Sequence, residues 1–230
     1  MGYCISMNNN IVYKIKGIKI SADDIVLDLG TKDGSVLEDC PGTVIGIDIN
    51  SSQFPSETKT ELLLGDGRQL PFDANVFDYV YCSVVLEHVD GSKPLIAEAA
   101  RVLKPSGTAF FGFPNRISLL QPHNGIPRYY SLFPKPIGQL VAPYLLSEVK
   151  TEYYERALFP LTPLSARRHL HSHFDKVEYT MQVSGEHVTD NSKIQKVFRL
   201  TNRILLKRPF KYLFELLWPN ATYHCKRPKD

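Results

Sequence analysis

The sequence predicts an α/β fold in which a mostly parallel β-sheet carries helices on both faces. Short runs rich in Val, Ile and Leu recur along the first half of the chain, and several end in an acidic residue or a glycine. Segments with helical spacing follow the later runs, and strands that alternate with helices build parallel sheets. With 230 residues, of which 43% are hydrophobic, the chain can bury one large core, so we expect a single domain.

The first predicted strand, Ile25 to Leu29, leads into a turn that contains Gly30 and Gly34. Glycine allows a ligand to approach the main chain closely, and N–H groups at the end of a strand and at a following helix are expected to be free for binding. Asp28 lies near the end of the same strand. The pattern therefore predicts a nucleotide-binding loop.

Three further predicted strands follow, and each ends in a polar residue. Residues 44–48 end at Asp48, residues 61–66 end at Asp66, and residues 77–83 end at Ser83. An acid about twenty residues after the glycines can accept hydrogen bonds from both hydroxyls of a ribose. In a parallel sheet, ligands lie beyond the carboxyl ends of the strands, where these acids are expected to meet.

The remaining elements are predicted from periodicity and from helix-ending residues. Apolar residues recur at intervals of three and four over residues 93–104, which predicts a helix that Pro105 and Gly107 end. The other expected elements are a fifth strand at 108–113, a helix at 165–173, a sixth strand at 176–183 and a seventh at 221–226.

Six segments occur in the order and spacing of one protein family: Leu27-Asp-Leu-Gly-Thr-Lys-Asp-Gly34, Ile47-Asp48, Gly65-Asp-Gly-Arg-Gln-Leu-Pro-Phe72, Phe77-Asp-Tyr-Val80, Leu86-Glu-His-Val89 and Ala100-Arg-Val-Leu-Lys-Pro-Ser-Gly107. In these segments the chain resembles the class I S-adenosylmethionine (SAM)-dependent methyltransferases, in particular the subgroup that methylates small molecules, lipids and sugars. The resemblance covers residues 22–113. It implies a Rossmann-like seven-stranded sheet whose last strand is antiparallel, SAM as cofactor, and methyl transfer as the activity.

The resemblance also implies a role for each matching residue. Carried over by position, Asp28 and Gly30 would hold the methionine end of SAM in the loop that ends at Gly34, Asp48 would hold the ribose hydroxyls, Asp66 with the Gly67 backbone would hold the adenine edge, and Leu70 and Ser83 would line the pocket. Lys32 stands where the family usually has a glycine. Either Lys32 adopts an unusual φ, or Asp33, which tolerates a left-handed conformation, absorbs the turn.

Catalysis of methyl transfer to a hydroxyl needs a base as well as alignment. Glu87 and His88 follow the fourth strand and are the first candidates, with His123 as the rival of His88. For each histidine a structural role is an equal alternative. Similar quinone O-methyltransferases hold a metal ion with Glu-x-x-Glu-His, but the first of these acids is Val84 here, so we expect no metal.

The predicted domain organisation is a cofactor-binding core at 22–113, a substrate lid at 114–163 and a basic insertion at 192–219. The lid is rich in proline and aromatic residues, which makes it too apolar for a linker. Its tyrosines either line an acceptor pocket or pack the lid onto the sheet. They are Tyr129, Tyr130, Tyr144, Tyr153 and Tyr154.

The insertion combines a basic face with an apolar segment. Lysines and arginines recur at intervals of three and four from Lys193 to Arg208, and the apolar residues 210–218 follow. This pattern is typical of a helix at an anionic membrane surface, and equally of a helix packed on the sheet with its charges in water. No apolar run reaches the length of a membrane span and no leader is evident, so a cytoplasmic protein, peripheral at the membrane in the first case, is expected.

The acceptor is the least determined part of the prediction. A net charge of +3 and the lack of an RNA-binding appendage disfavour nucleic acid. A small or lipid-linked acceptor, such as a lipid-carried glycan or an isoprenoid ring compound, would join the aromatic lid to the basic insertion. The alternative is a non-catalytic protein that keeps the fold and associates with a membrane enzyme, with Lys32 in the loop as its support.

Overall fold

The computed structural model describes residues 3–7, 10–15, 18–115, 135–148, 161–180 and 220–229. Its strands are β1 Tyr3–Met7, β2 Asn10–Ile15, β3 Ile18–Ile20, β4 Ile25–Leu29, β5 Thr43–Asp48, β6 Glu61–Leu64, β7 Phe77–Ser83, β8 Leu103–Pro114, β9 Phe174–Tyr179 and β10 Asn220–Pro228. Its α-helices are α1 Ser92–Val102, α2 Lys135–Leu145 and α3 Pro163–His173, and short 3₁₀ turns span Ser35–Leu37, Ser51–Gln53 and Leu86–His88.

A seven-stranded sheet organises the chain, in the order β6-β5-β4-β7-β8-β10-β9. The pairs from β6 to β8 are parallel, whereas β10 lies antiparallel between β8 and β9. The sequence therefore predicted the fold class correctly, including the antiparallel last strand. The carboxyl ends of the first parallel strands form one edge of the sheet.

The central strands are buried on both faces, as expected of parallel strands covered on two sides. Along β4, Val26 belongs to one apolar cluster, whereas Leu27 and Leu29 belong to the other. The larger cluster is formed with α1 and α3, and the smaller one includes Leu37 of the first 3₁₀ turn and Ile20 of β3. Side-chain alternation with period two thus divides the core into two layers.

The helices begin and end where local chemistry requires. In α3 the Thr162 hydroxyl accepts the Ser165 N–H, the Ser165 hydroxyl reciprocates at the Thr162 N–H, and Pro163 occupies the first turn. This capping box makes α3 begin two residues before the predicted start. In α1, Lys104 precedes Pro105 and is biased toward extended backbone, which ends the helix at Val102 instead of the predicted 104.

Several strand boundaries differ from the sequence prediction. Strand β8 begins at Leu103, five residues early, because Leu103 pairs with Phe77 before an irregularity, and regular pairing resumes between Thr108 and Tyr79. Strand β6 ends at Leu64, before Asp66. Strand β9 is Phe174–Tyr179 where 176–183 was expected, and β10 extends the predicted 221–226 at both ends.

A three-stranded antiparallel sheet formed by β1, β2 and β3 precedes the main sheet. This sheet was not predicted, because the family resemblance begins only at residue 22. Apolar residues that alternate with lysines over 13–16 and 18–20 were the available signal. The Lys19 carbonyl accepts the Tyr79 hydroxyl at 2.8 Å, and Ile20 packs in the smaller core cluster, so β3 is attached to the main sheet.

Part of the predicted organisation lies outside the described residues. This holds for the whole insertion at 192–219, for His123 and for most of the lid, of which 114–115, 135–148 and 161–163 are described. Within α2, Tyr144 is 84% exposed, so it does not pack the lid onto the sheet. Among the helices that are described, none is long and apolar enough to cross a membrane.

Candidate active site

The predicted site residues meet at the carboxyl edge of the sheet. Asp28 lies in β4, Asp48 ends β5, and Asp66 follows β6. Hydrogen-bonded register places Asp48 opposite Leu64 and Leu29 opposite Cys82, which brings the ends of β4 to β7 to one edge. The charges of Asp48 and Asp33 act on Asp28 directly. The edge is therefore acidic and suited to a cationic ligand.

The backbone of the glycine loop is used within the protein. The N–H groups of Gly30 and Thr31 both donate to the Ile47 carbonyl, at 2.8 and 3.3 Å, and the Gly34 N–H donates to the Thr31 carbonyl at 3.1 Å. The expectation of free N–H groups is therefore wrong for these residues. Because these N–H groups form hydrogen bonds within the protein, the acidic side chains are the groups of the loop left to bind a ligand.

Two features of the loop depend on backbone conformation. Gly30 has a φ of 72°, and a Cβ there would lie 2.3 Å from a Val85 methyl, so only glycine fits beneath Val85. Lys32 has a φ of 61°, so it adopts the left-handed conformation that the sequence raised as one alternative. Asp33 does not absorb the turn. Its carboxylate accepts the Ser35 N–H and hydroxyl instead.

Asp28 is the most unusual acid of the site. Its side chain is buried, and Oδ2 has no hydrogen-bond partner among the described residues. The pKa of Asp28 is raised to about 7, chiefly by burial; a hydrogen bond from the Thr31 hydroxyl acts against this increase, and the neighbouring charges of Asp48 and Asp33 add to it. A buried acceptor without a partner is costly unless a ligand satisfies it.

Asp48 has a different environment, because both of its oxygens are engaged. Oδ2 accepts the Lys32 N–H at 3.0 Å and Oδ1 accepts the Asn50 N–H at 2.9 Å. Each carboxylate oxygen can accept a second hydrogen bond, so the acid can tie the glycine loop to β5 and still receive a diol. The role in the loop was not predicted from the sequence.

Asp66 forms an ion pair with Arg68, a contact that was not predicted from the sequence. The Arg68 guanidinium donates to both Asp66 oxygens, with Nη2 2.7 Å from Oδ2, and the Arg68 N–H donates to Oδ1. These hydrogen bonds hold the pKa of Asp66 below its usual value. Any amine that uses Asp66 must share or displace this guanidinium.

Apolar side chains surround Asp48 and Asp66. Leu70 is buried, and a Cβ on Gly67 would lie 3.2 Å from Leu95, so the segment 66–70 lies close against α1. Ile49, directly after Asp48, is 70% exposed, and Leu64 on the adjacent strand is 65% exposed. These two exposed side chains form an apolar surface that can cover one face of a flat base. The signal for it in the sequence was the apolar residue directly after the acid at the strand end.

The turn after β7 separates two neighbouring side chains. Ser83 ends the strand, Val84 adopts a φ of 61°, which is unfavourable for a β-branched residue, and the 3₁₀ turn Leu86–His88 follows. Glu87 points inward and is 1% exposed, whereas His88 is 33% exposed, with Nε2 3.9 Å from Glu87 Oε1. The strained turn therefore leaves His88 partly exposed and buries the neighbouring Glu87 carboxyl group.

Glu87 resembles Asp28 in its burial. Neither of its carboxyl oxygens has a hydrogen-bond partner within the described part of the chain, and burial raises its pKa to about 7. Both acids act on the thiol of Cys82, whose pKa is raised by burial first and then by Glu87 and Asp28. The charges of two carboxyl groups thus both reach the buried Cys82. In the same described residues, no three His, Cys, Asp or Glu side chains form a metal-binding group.

The chain is similar to known methyltransferases at three levels. Residues 27–111 match the family described as a methyltransferase domain. A demethylmenaquinone methyltransferase of Staphylococcus carnosus is 39% identical over 75 residues, which cover 30% of this chain and 31% of that protein. A demethylmenaquinone methyltransferase of Oceanobacillus iheyensis is 26% identical over 194 residues, which cover 76% of this chain and 80% of that protein.

The more similar matches are short. Those at 33% and 39% identity span 38% and 31% of the relatives that contain them. Among solved structures, a SAM-dependent methyltransferase from Archaeoglobus fulgidus superposes with a TM-score of 0.50 at 18% identity, over 90% of this chain and 86% of that one. At this identity the likeness is one of fold.

Proposed function

We propose that this chain, which carries a class I SAM-dependent methyltransferase domain, transfers the methyl group of SAM to a small or lipid-linked acceptor. SAM is the cofactor of this kind of domain. The observation that carries the proposal is the acidic edge, where Asp28 keeps a buried oxygen without a described partner beside the positions of Asp48 and Asp66. A cationic ligand that reaches Asp28 would satisfy that oxygen.

The residues present fit SAM. Asp28 would face the charged methionine end, Asp48 would accept the ribose hydroxyls, and Asp66 with the Gly67 backbone would face the adenine edge. Leu70 would contribute to the apolar wall. When bound, SAM supplies a methyl group on a sulfonium, which is a good leaving group. The protein's task is then to align the acceptor, exclude water and remove a proton.

For a hydroxyl acceptor, we assign proton removal to His88. Its imidazole is partly exposed in the turn after β7, and the buried Glu87 carboxyl group 3.9 Å away would stabilise the imidazolium by ionising. Because burial raises the pKa of Glu87 to about 7, this acid changes charge near neutral pH. Glu87 would thus act through His88 as a positioning residue. His123 remains the rival base and lies outside the described residues.

The acceptor we favour is an isoprenoid or quinone-like ring compound. Two relatives are named as demethylmenaquinone methyltransferases. The lid helix α2 exposes an apolar stripe, Ile137, Leu140 and Tyr144, which recur at intervals of three and four. Such a stripe can cover an apolar ring or chain. A lipid-carried glycan is the other acceptor of this class, and for both we propose that the basic residues of 193–218 favour an anionic membrane surface.

The test is methyl transfer from radiolabelled SAM to a demethylated quinol, with His88→Gln and His171→Gln compared with the parent. His171 lies on α3 and serves as the matched control. Loss of a general base should lower kcat by roughly 10²–10⁴-fold with the Kd of SAM unchanged. Glu87→Gln should move the pH–rate profile. Equal loss of SAM binding in His88→Gln would make His88 structural, and full activity would reassign the base to His123 or water.

The alternative function is a non-catalytic binding protein that keeps the methyltransferase fold. The observation in its favour is Lys32, a non-glycine residue at a φ of 61° in the glycine loop. Calorimetry separates the two functions, because a protein that binds neither SAM nor S-adenosylhomocysteine cannot be the enzyme.

A further inference from the structure

Helix α1 holds the segment 66–72 through one face. Leu95, Glu98 and Arg101 recur every three residues and lie on the same side of the helix. Leu95 lies 3.2 Å from where a Cβ on Gly67 would be, so the backbone rests directly on the helix at this point. Glu98 and Arg101 contact the same segment further along.

Glu98 and Arg101 form a paired clamp on the main chain. The Arg101 guanidinium donates to both Glu98 oxygens, through Nε to Oε1 at 2.7 Å and through Nη2 to Oε2 at 2.8 Å. Glu98 Oε2 accepts the Leu70 N–H at 2.7 Å. Arg101 donates through Nη1 to the Phe72 carbonyl at 2.8 Å and through Nη2 to the Leu70 carbonyl at 3.2 Å.

The clamp ties the segment to α1, in addition to the hydrogen bonds within the segment. Within the segment, the Gln69 N–H donates to the Asp66 carbonyl at 2.9 Å. The contacts of the clamp are charge-assisted, and the planar fork of arginine fixes direction as well as distance. Hydrogen bonds from Arg101 hold the pKa of Glu98 below its usual value despite partial burial, so the acid is ionised at neutral pH.

We propose that Glu98 and Arg101 are positioning residues that set the register of the Asp66–Leu70 backbone and thereby the selectivity for adenine. The inference rests on the proposed function, since it takes the edge of this segment as the adenine site. A shift of the backbone by a fraction of a hydrogen-bond length misaligns directional contacts to the base, whereas contacts to the ribose and the methionine end are made from other strands.

The chain offers a matched control in Asp78 and Lys104. Asp78 Oδ2 accepts the Ile25 N–H at 3.0 Å, as Glu98 accepts that of Leu70, and the Lys104 ammonium lies 2.8 Å from the same oxygen. The side chains are 23% and 35% exposed, against 19% and 37% for Glu98 and Arg101. Ile25 begins β4, so this pair lies at the opposite end of the strand from the site.

The experiment measures the Kd of S-adenosylhomocysteine and of S-inosylhomocysteine, which lacks the exocyclic amine, for the parent, Glu98→Gln, Arg101→Lys and Asp78→Asn. The two clamp variants should lose roughly 2–10-fold of the preference for adenine, the range that one misplaced hydrogen bond gives. Asp78→Asn should keep the full preference even if it is less stable. Arg101→Lys should not keep the preference for adenine, because a lysine ammonium cannot donate to both carbonyls as the planar guanidinium does.

Amide hydrogen exchange of Leu70 in the free protein is the second readout. Because Glu98 accepts the Leu70 N–H, this amide should exchange faster in Glu98→Gln than in Asp78→Asn. Unchanged adenine preference in both clamp variants overturns the inference while leaving the proposed function intact. If the parent binds neither compound, the proposed function fails, and the selectivity role of the clamp fails with it.

Discussion

Replacing Asp28 by Asn should stabilise the free protein at alkaline pH. The pKa of Asp28 rises from 3.8 to about 7, chiefly because the carboxyl group is buried. The folded state therefore holds its proton more tightly than the unfolded state. Between about pH 4 and 7 the folded state binds more protons, so the contribution of Asp28 to stability falls as pH rises through this window.

The magnitude follows from the size of the shift. About three pKa units at ~1.4 kcal/mol per unit give a cost of about 4 kcal/mol once the pH exceeds the folded pKa. Part of the cost is already present at about pH 5, where the unfolded acid is ionised, so about 2–3 kcal/mol should appear between about pH 5 and 8. Asparagine keeps the shape of the protonated acid and avoids the cost.

Urea unfolding of the parent and of Asp28→Asn at both pH values measures this difference. The advantage of the variant should grow by about 2–3 kcal/mol on going to the higher pH. Asp78→Asn is the control whose effect should not change between the two pH values. Burial works against the charge of Asp78, but the Ile25 N–H and the Lys104 ammonium hold its pKa below the usual value. Its loss should therefore cost the same stability at both pH values, and less only in acid below about pH 4. An advantage of Asp28→Asn that does not change with pH would refute the reasoning.

Three further predictions concern the ligands. Asp48→Ala should weaken SAM binding by about 1–3 kcal/mol in calorimetry, because the ribose hydroxyls lose their acceptor; unchanged affinity would place the ribose elsewhere. Arg68→Gln frees Asp66 and should tighten binding of S-adenosylhomocysteine, whereas weaker binding would show that Arg68 itself contacts the ligand. The parent should co-sediment with acidic vesicles, and this binding should weaken with added salt and in Lys196→Glu. Equal binding to neutral vesicles would contradict docking through 193–218.

The parts of the fold that the sequence predicted are those with dense local signals. The apolar runs ending at Leu29, Asp48 and Ser83 are long enough to specify buried parallel strands, and the spacing of the acids places them at one edge. The strand pairs of the N-terminal sheet were not predicted, although apolar residues alternate with lysines over 13–16 and 18–20. This signal is short, and no family segment accompanies it.

The sequence predicted that three acids lie at one edge of the sheet, but not their hydrogen-bond partners. That Asp28, Asp48 and Asp66 share an edge follows from topology. That Arg68 covers Asp66 depends on side-chain geometry, which no spacing encodes. The state of Asp28 also could not be read from the sequence, because a raised pKa arises from tertiary burial.

The Glu98–Arg101 clamp illustrates the same limit from the helix side. Both residues lie three apart on a predicted helix, where a salt bridge on a solvated surface is the ordinary reading. In the fold, Glu98 and Arg101 instead bind the backbone of Leu70 and Phe72, which lie nearly thirty positions away in the sequence. Only the folded chain connects them.

Calorimetric titration of SAM into the parent and into Asp28→Asn, in buffers of different ionisation enthalpy near neutral pH, tests the central claim most directly. A cation beside Asp28 favours the carboxylate, so binding to the parent should release a proton and strengthen as pH rises through about 7. Asp28→Asn should bind more weakly and release less. Absence of SAM binding to the parent, or equal binding and proton release in the two proteins, would contradict the assignment of this edge as the cofactor site.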